Sequence, residues 1–273
     1  MPFVCESSLL VCLLVGTVFF YGLVFGSFFN VLIYRLPRGE SVIFPASHCP
    51  NCNHKLSWSE NIPLFSFLYQ RGKCKKCKTK ISLQYPLIEL ITGIYSLLLL
   101  LIFRDKILWA MSGEWWNCVE IFLQYFTLLL FIPLAVIDVK HYIIPDELTL
   151  PGIAFALAVS FLPDGITPLQ SITGSACGGG FLLLTGLAGK LVLKREDAMG
   201  GGDVKFLLWL GALFGFEAAL ITIFAGCAVG AFVSIILISL KKAKNGKIIP
   251  FCPYLCVGML IFTAFGKEIL SFF

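Results

Sequence analysis

The chain is a succession of apolar runs, most of them long enough to cross a bilayer, interrupted once by a long polar stretch. Few patterns constrain a fold more. Inside hydrocarbon only helices and closed barrels satisfy every backbone polar group, and a crossing helix needs about 20 mainly apolar residues. Eight runs qualify as candidate spans: 9–33, 86–103, 119–137, 148–162, 172–193, 206–214, 218–240 and 251–270. The sixth is too short alone, so Phe214-Gly215-Phe216-Glu217 is either a tight outer turn or a helix break. Only 14% of the residues are charged, against about 25% in soluble domains. A soluble domain is therefore excluded.

The distribution of positive charge orients the spans. With the N-terminus outside, 18 of the 21 Lys and Arg fall on the inner side, and only Arg104, Lys106 and Lys267 remain outside. That asymmetry fits the positive-inside rule. The first run lacks the basic start and small-residue cleavage site of a secretory signal peptide, so it reads as a retained helix. Trp109, Trp115 and Trp116 in an outer loop read as interfacial anchors. No internal repeat stands out.

The polar insert, residues 35–85, is too small for a good core without a staple. It contains Cys49-Pro-Asn-Cys52 and Cys74-Lys-Lys-Cys77, a C-x2-C-x21-C-x2-C arrangement. Each C-x2-C lets one tight knuckle present two thiolates, and two knuckles complete a tetrahedron around zinc. A pair of disulfides is the other reading; the expected cytoplasmic placement favours zinc. Four cysteine ligands leave no open position, so the metal is expected to be structural. His48 and His54 adjoin the first knuckle and read as surface or supporting groups. The other seven cysteines lack metal spacing and read as packing residues in apolar helices. The expected fold is thus an α-helical polytopic membrane protein of about eight transmembrane helices with a small cytoplasmic zinc-ribbon-like insert. Its expected parts are a first helix (1–34), the insert (35–85) and a membrane domain (86–273).

Two carboxylates sit where apolar sequence meets polar. Asp138 follows Leu134-Ala-Val-Ile137, and Asp203 follows Gly200-Gly-Gly and precedes the sixth span. Acids at a membrane edge are costly and are functional candidates. Two neighbouring carboxyls cannot both ionise easily, so one keeps its proton; the pair can then activate water and protonate a leaving amine. The plain alternatives are an interfacial helix-end charge for Asp138 and a helix N-cap for Asp203. Asp146 reads as the cap of the fourth span. Glu89 reads as structural or paired with a base, and Glu40, Glu60 and Asp197 as surface charges able to attract a basic peptide. The glycine run lacks phosphate-loop spacing, and no H-E-x-x-H occurs.

An ordered set of motifs runs through nearly the whole chain. It comprises Phe25-Gly-Ser-Phe-Phe-Asn-Val-Leu-Ile-Tyr-Arg-Leu-Pro37, Ser47-His-Cys-Pro-Asn-Cys52, Trp58-Ser-Glu-Asn-Ile-Pro63 and Arg71-Gly-Lys-Cys-Lys-Lys-Cys77. Tyr85-Pro-Leu-Ile-Glu89, Ile137-Asp-Val, Ile144-Pro-Asp146, Gly200-Gly-Gly-Asp203 and Ile249-Pro-Phe-Cys-Pro-Tyr254 complete it. In these motifs the sequence resembles the bacterial prepilin peptidases, the type IV leader peptidase family of membrane aspartyl proteases. The resemblance implies that Asp138 and Asp203 are the catalytic pair. It also implies that the substrates are type IV prepilins or type II secretion pseudopilins, cut at the cytoplasmic face of the inner membrane. The insert implies a second activity, methylation of the new N-terminus with S-adenosylmethionine as donor. Gly72 and Lys73, beside the second knuckle, are the candidate contributors to donor binding. Cys252 departs from the family pattern, where a small residue is common. Membrane lipids are the other expected partner, nucleic acid is not, and the oligomeric state stays open. A transporter or secretion scaffold with a zinc-ribbon partner-binding domain is the competing reading, since proton-coupled transport also uses intramembrane acids.

Overall fold

The structure is a computed structural model. It describes the backbone of residues 2–111, 115–163, 165–193, 200–240 and 249–271, and the side chains of these except at 2–10, 110, 111, 115 and 193. Lys194, Arg195, Glu196, Asp197 and the lysines between 241 and 247 lie outside the described residues, as do the side chains of Cys5 and Trp115. Contacts divide the chain into two compact units, Met1–Arg104 and Asp105–Phe273.

In the first unit, helices α1 (Pro2–Arg35) and α3 (Gln84–Ile102) flank the insert, which holds the short α2 (Phe65–Tyr69). The two long helices meet backbone to backbone. A Cβ placed on Gly26 would stand 2.6 Å from Glu89 Cα, and one on Gly22 would stand 2.3 Å from Ser96 Oγ. This Gly22-x3-Gly26 face is the small-residue contact that lipid-embedded helices use in place of a hydrophobic drive. Asn30, one turn further on, donates from Nδ2 to Tyr85 O at 3.1 Å and so ties the end of α1 to the start of α3. The contact-based division of the chain falls after α3.

The second unit contains α4 (Arg104–Met111), α5 (Trp115–Leu129), α6 (Phe131–His141), α7 (Asp146–Val159), α8 (Pro168–Leu193), α9 (Gly201–Ser239) and α10 (Cys252–Leu270). A one-residue break at Leu130 separates α5 from α6 within the third expected span, which remains a single apolar crossing, Trp116–His141. Pro133 accounts for the break: it lacks an N–H, and its ring clashes with the carbonyl four residues back, at Leu129.

Helix α9 is a hairpin. Gly215 interrupts it at φ 87°, ψ −179°, a conformation open to glycine. A Cβ on Gly178 of α8 would meet Leu207 O at 2.9 Å and the Ala219 side chain at 3.0 Å. Along a straight helix those two residues would lie about 18 Å apart. The chain therefore turns back at Gly215, which resolves the expected turn-or-break in favour of a tight turn. Six helices among the described residues are long and apolar enough to cross a membrane. The hairpin divides one of these six helices into two arms, and α7, of 14 residues, is shorter than the roughly 20 residues a crossing helix needs. The chain is a multi-pass α-helical membrane protein.

Among the cysteines expected merely to pack, Cys12, Cys118, Cys177 and Cys227 are exposed on helix surfaces, and Cys252 and Cys256 are buried. In a bundle embedded in lipid, an outward-facing cysteine meets acyl chains rather than a protein neighbour. Trp109 is exposed, in keeping with an interfacial position.

Candidate active site and metal centre

Three helix ends converge in the second unit. Asp138 lies in the last turns of α6, Asp203 in the first turn of α9 and Cys252 at the start of α10. Tyr142, in the left-handed region at φ 56°, ends α6 by donating its N–H to Asp138 O. One edge-to-face contact holds α6 to α9, Phe206 against Phe131 at 5.5 Å between centroids, and within α9 Phe206 also meets Trp209 at 6.4 Å. Such aromatic pairs add stability beyond the area they bury. A Cβ on Gly202 would strike Ile144 Cβ at 2.9 Å, so glycine there lets the α6–α7 loop seat on the first turn of α9. Two carboxyls 65 positions apart in sequence are thereby carried on converging helix ends.

Asp138 is buried, and its Oδ2 accepts the Cys252 backbone N–H at 3.0 Å. The N-terminus of α10 therefore turns a free donor and the positive end of its dipole toward this carboxylate. Asp203 is half-buried. The two plain alternatives do not hold. Gly200, not Asp203, is the residue before α9, and no side chain caps that end; Asp138 is buried rather than an exposed helix-end charge. Asp146 is also corrected. It is the first residue of α7, preceded by Pro145 in the cap position, and it makes no capping bond. Instead both its oxygens accept from Lys205 Nζ, at 2.7 and 2.8 Å. This pair joins the starts of α7 and α9 beside Asp203.

In the first unit the four insert cysteines converge. Their sulfurs all lie within 4.8 Å of one another; Cys49–Cys77 is 3.8 Å and Cys52–Cys74 is 3.9 Å. A tetrahedron with metal–sulfur bonds of about 2.3 Å has edges of about 3.8 Å. A disulfide would bring two sulfurs to about 2.05 Å, so the thiols are separate and fit a tetrahedral thiolate site.

The two knuckles are built alike. Cys49 N donates to His54 O and Asn53 N to Cys49 O; Cys74 N donates to Thr79 O and Lys78 N to Cys74 O. Asn53 and Lys78 both take positive φ, and the bridges His48–Lys55 and Lys73–Lys80 close the two loops. Residues 48–55 and 73–80 thus form an internal repeat that their dissimilar side chains concealed. A polar relay supports one ligand. Asn51 Nδ2 donates to Thr79 Oγ1 at 2.9 Å, leaving the hydroxyl 3.3 Å from Cys77 Sγ. The Thr79 hydroxyl, then its backbone bond and Asn51, lower the Cys77 thiol to about 5, which suits a thiolate ligand.

One reading in the insert is overturned, that of Glu60 as a surface charge. Gly72 has φ +65° and crosses the Phe67 ring, while Lys73 is exposed in the bridge to Lys80; neither lines a cavity described in this unit. Glu60 is not a surface charge. Its Oε2 accepts the Ser57 backbone N–H at 3.0 Å, the Ser57 hydroxyl at 2.8 Å and a contact from His54 Nε2 at 3.2 Å. The Ser57 bonds, helped by His54, hold this carboxyl below its ordinary value. Glu89 has no basic partner among the described residues; it accepts Leu64 N–H at 2.8 Å. His48 and His54 stay outside the thiol cluster.

The fold and these two sites define an integral membrane helix bundle with a carboxylate pair at converging helix ends and a four-thiol knuckle module. Family models match both units: the bacterial peptidase A24 N-terminal domain over residues 20–103, and the type IV leader peptidase family over 124–235. A prepilin leader peptidase/N-methyltransferase of Aeromonas hydrophila is 33% identical, over 94% of this chain and 92% of that protein. Proteins of the same name match from Neisseria gonorrhoeae, at 36% over 89% and 88%, and Pseudomonas aeruginosa, at 31% over 91% and 89%. No solved structure matches. The chain belongs to the type IV leader peptidase family.

Proposed function

We propose that the protein removes the basic leader from type IV prepilins or type II secretion pseudopilins, and then N-methylates the exposed residue. It does so in the bacterial inner membrane, with its active site toward the cytoplasm. Asp138 and Asp203 are the peptidase dyad. The observation that carries this reading is the placement of both acids where the ends of α6, α9 and α10 come together, with the α10 N-terminus donating to Asp138.

Peptide hydrolysis by such a pair needs one ionised and one protonated carboxyl. The N–H from Cys252 and the α10 dipole favour charge on Asp138, so Asp138 is assigned as base and Asp203 as the initial acid. Asp138 takes a proton from water as its oxygen attacks the scissile carbonyl, while Asp203 protonates the carbonyl oxygen. Collapse of the tetrahedral diol breaks the C–N bond as Asp138 passes its proton to the leaving amine and Asp203 takes one back from a diol hydroxyl. α7 and the first arm of α9 each rise only about 21 Å, less than the hydrocarbon core of about 30 Å. Short helices of this kind suit a scissile bond at the point where an apolar helix leaves the bilayer.

The four cysteines hold zinc as a structural clamp. S-adenosylmethionine supplies an electrophilic methyl group. The transport reading loses ground because both acids sit at helix ends rather than at mid-helix, where a transport acid belongs.

Purified protein incubated with a prepilin in lipid tests the assignment. Asp138→Ala and Asp203→Ala are each expected to abolish leader removal with zinc content intact. Leader removal that survives either substitution would overturn the dyad. Mass spectrometry of the cleaved pilin should show one added methyl when S-adenosylmethionine is supplied.

A further inference from the structure

Two buried acceptors in the first unit lack any partner, and both belong to residues that line one cavity. Asn30 is 2% exposed and its Oδ1 accepts nothing. The orientation of the amide is fixed, because Nδ2 is committed to the carbonyls of Gly26 and Tyr85 at 3.2 and 3.1 Å. The Glu60 side chain is 6% exposed; Oε2 takes every bond and Oε1 none. Buried polar atoms are almost always satisfied, so two orphans on one cavity call for a ligand. The cavity measures about 370 Å³ and lies between the end of α1, the first knuckle and the start of α3. That volume falls within the range of small-molecule sites.

The lining specifies the chemistry. Glu60, Glu89 and Asn30 present acceptors, suited to a cationic or N–H-rich group. Arg35 also lines it and is buried. Its guanidinium is held by the carbonyls of Ser41 and Pro45, and among the described residues no carboxylate pairs with it. A ligand carboxylate would meet that charge. Phe67 and Tyr85 contribute aromatic surface for a flat ring. A free amino acid end, a second cationic centre and an aromatic base together describe S-adenosylmethionine. A pilin N-terminus has the amine but no free carboxylate beside it, so Arg35 argues against it as the occupant.

We infer that this cavity is the methyl-donor site, with Asn30 Oδ1 and Glu60 Oε1 as the acceptors that hold the donor's cationic end. The inference rests on the methyltransferase reading above and relocates the donor away from Gly72 and Lys73.

The test uses the full-length zinc-loaded protein in detergent, with S-adenosylhomocysteine and sinefungin titrated by calorimetry. Wild type should bind both. Glu60→Gln keeps the Ser57 bonds but puts an amide N–H in place of the unpartnered Oε1, and Asn30→Leu removes the other acceptor. Each should weaken binding by at least about tenfold with zinc content unchanged. Photolabelling of wild type with 8-azido-S-adenosylmethionine needs no variant, and should mark the segments around Asn30, Glu60 and Tyr85. Wild-type affinity in both variants, or label confined to other segments, would overturn the placement. Wild type that neither binds a donor analogue nor methylates cleaved pilin would instead overturn the methyltransferase reading itself.

Discussion

The two sites are built in opposite ways. The thiol cluster gathers four ligands from one short insert, and each pair is shaped by its own knuckle turn. The carboxylate pair draws on helices far apart in sequence and exists only once α6, α9 and α10 pack. One site is local and closed; the other is tertiary and has an exposed side, as the half-buried Asp203 records. The difference teaches where each can fail. A knuckle fails when its metal or turn is lost, whereas the carboxylates fail whenever a packing contact shifts a helix end.

The largest effect should come from removing the metal. Structural zinc contributes on the order of 10 kcal/mol or more to small modules, so chelation or Cys74→Ser should unfold the insert. Methyl transfer and donor binding should vanish, while leader removal by the other unit persists. Circular dichroism, zinc content and the two activity assays check this; methyl transfer that continues without metal would break the contrast.

At the carboxylates, a change that touches no acid should matter. Gly202→Val puts side-chain atoms where Ile144 already stands 2.9 Å from a Cβ. Small misplacements of catalytic groups cost about 100-fold, so kcat for leader removal should fall by that order while zinc content and methyl transfer stay at wild-type levels.

The smallest effect is a pH dependence in the insert. Glu60 titrates below its ordinary value because the folded state favours its charged form, chiefly through Ser57. The resulting stability is present above the unfolded carboxylate pKa and is lost as pH falls through the lower folded one. Glu60→Gln should remove that part of the wild-type acid destabilisation, read as the difference between the two melting temperatures across mildly acidic pH. Parallel curves would assign the acid sensitivity elsewhere.

Much of this contrast was legible in the sequence. The C-x2-C pairs announced the cluster because ligands three apart need only one turn, and the apolar runs announced the spans. The carboxylates could be named as costly charges, but composition gave no sign that α10 would deliver Cys252 N–H to Asp138. The fate of Asp146 was hidden for the same reason: an N-cap pattern is local, while its ion pair with Lys205 is tertiary. Gly215 marked a break, yet only the close approach of both Leu207 and Ala219 to Gly178 revealed a hairpin. Asn30 and Glu60 looked like an ordinary helix polar residue and a surface charge. Their burial is set by the insert folding over the end of α1, which no periodicity records.

A double-substitution cycle on the carboxylates tests the central claim most directly. Prepilin cleavage is measured for Asp138→Asn, Asp203→Asn and the pair together, in zinc-loaded protein. If the two act as one dyad, each single substitution removes nearly all activity and the double loses no more than either. Losses that multiply, or substantial cleavage left in one single variant, would contradict a shared site.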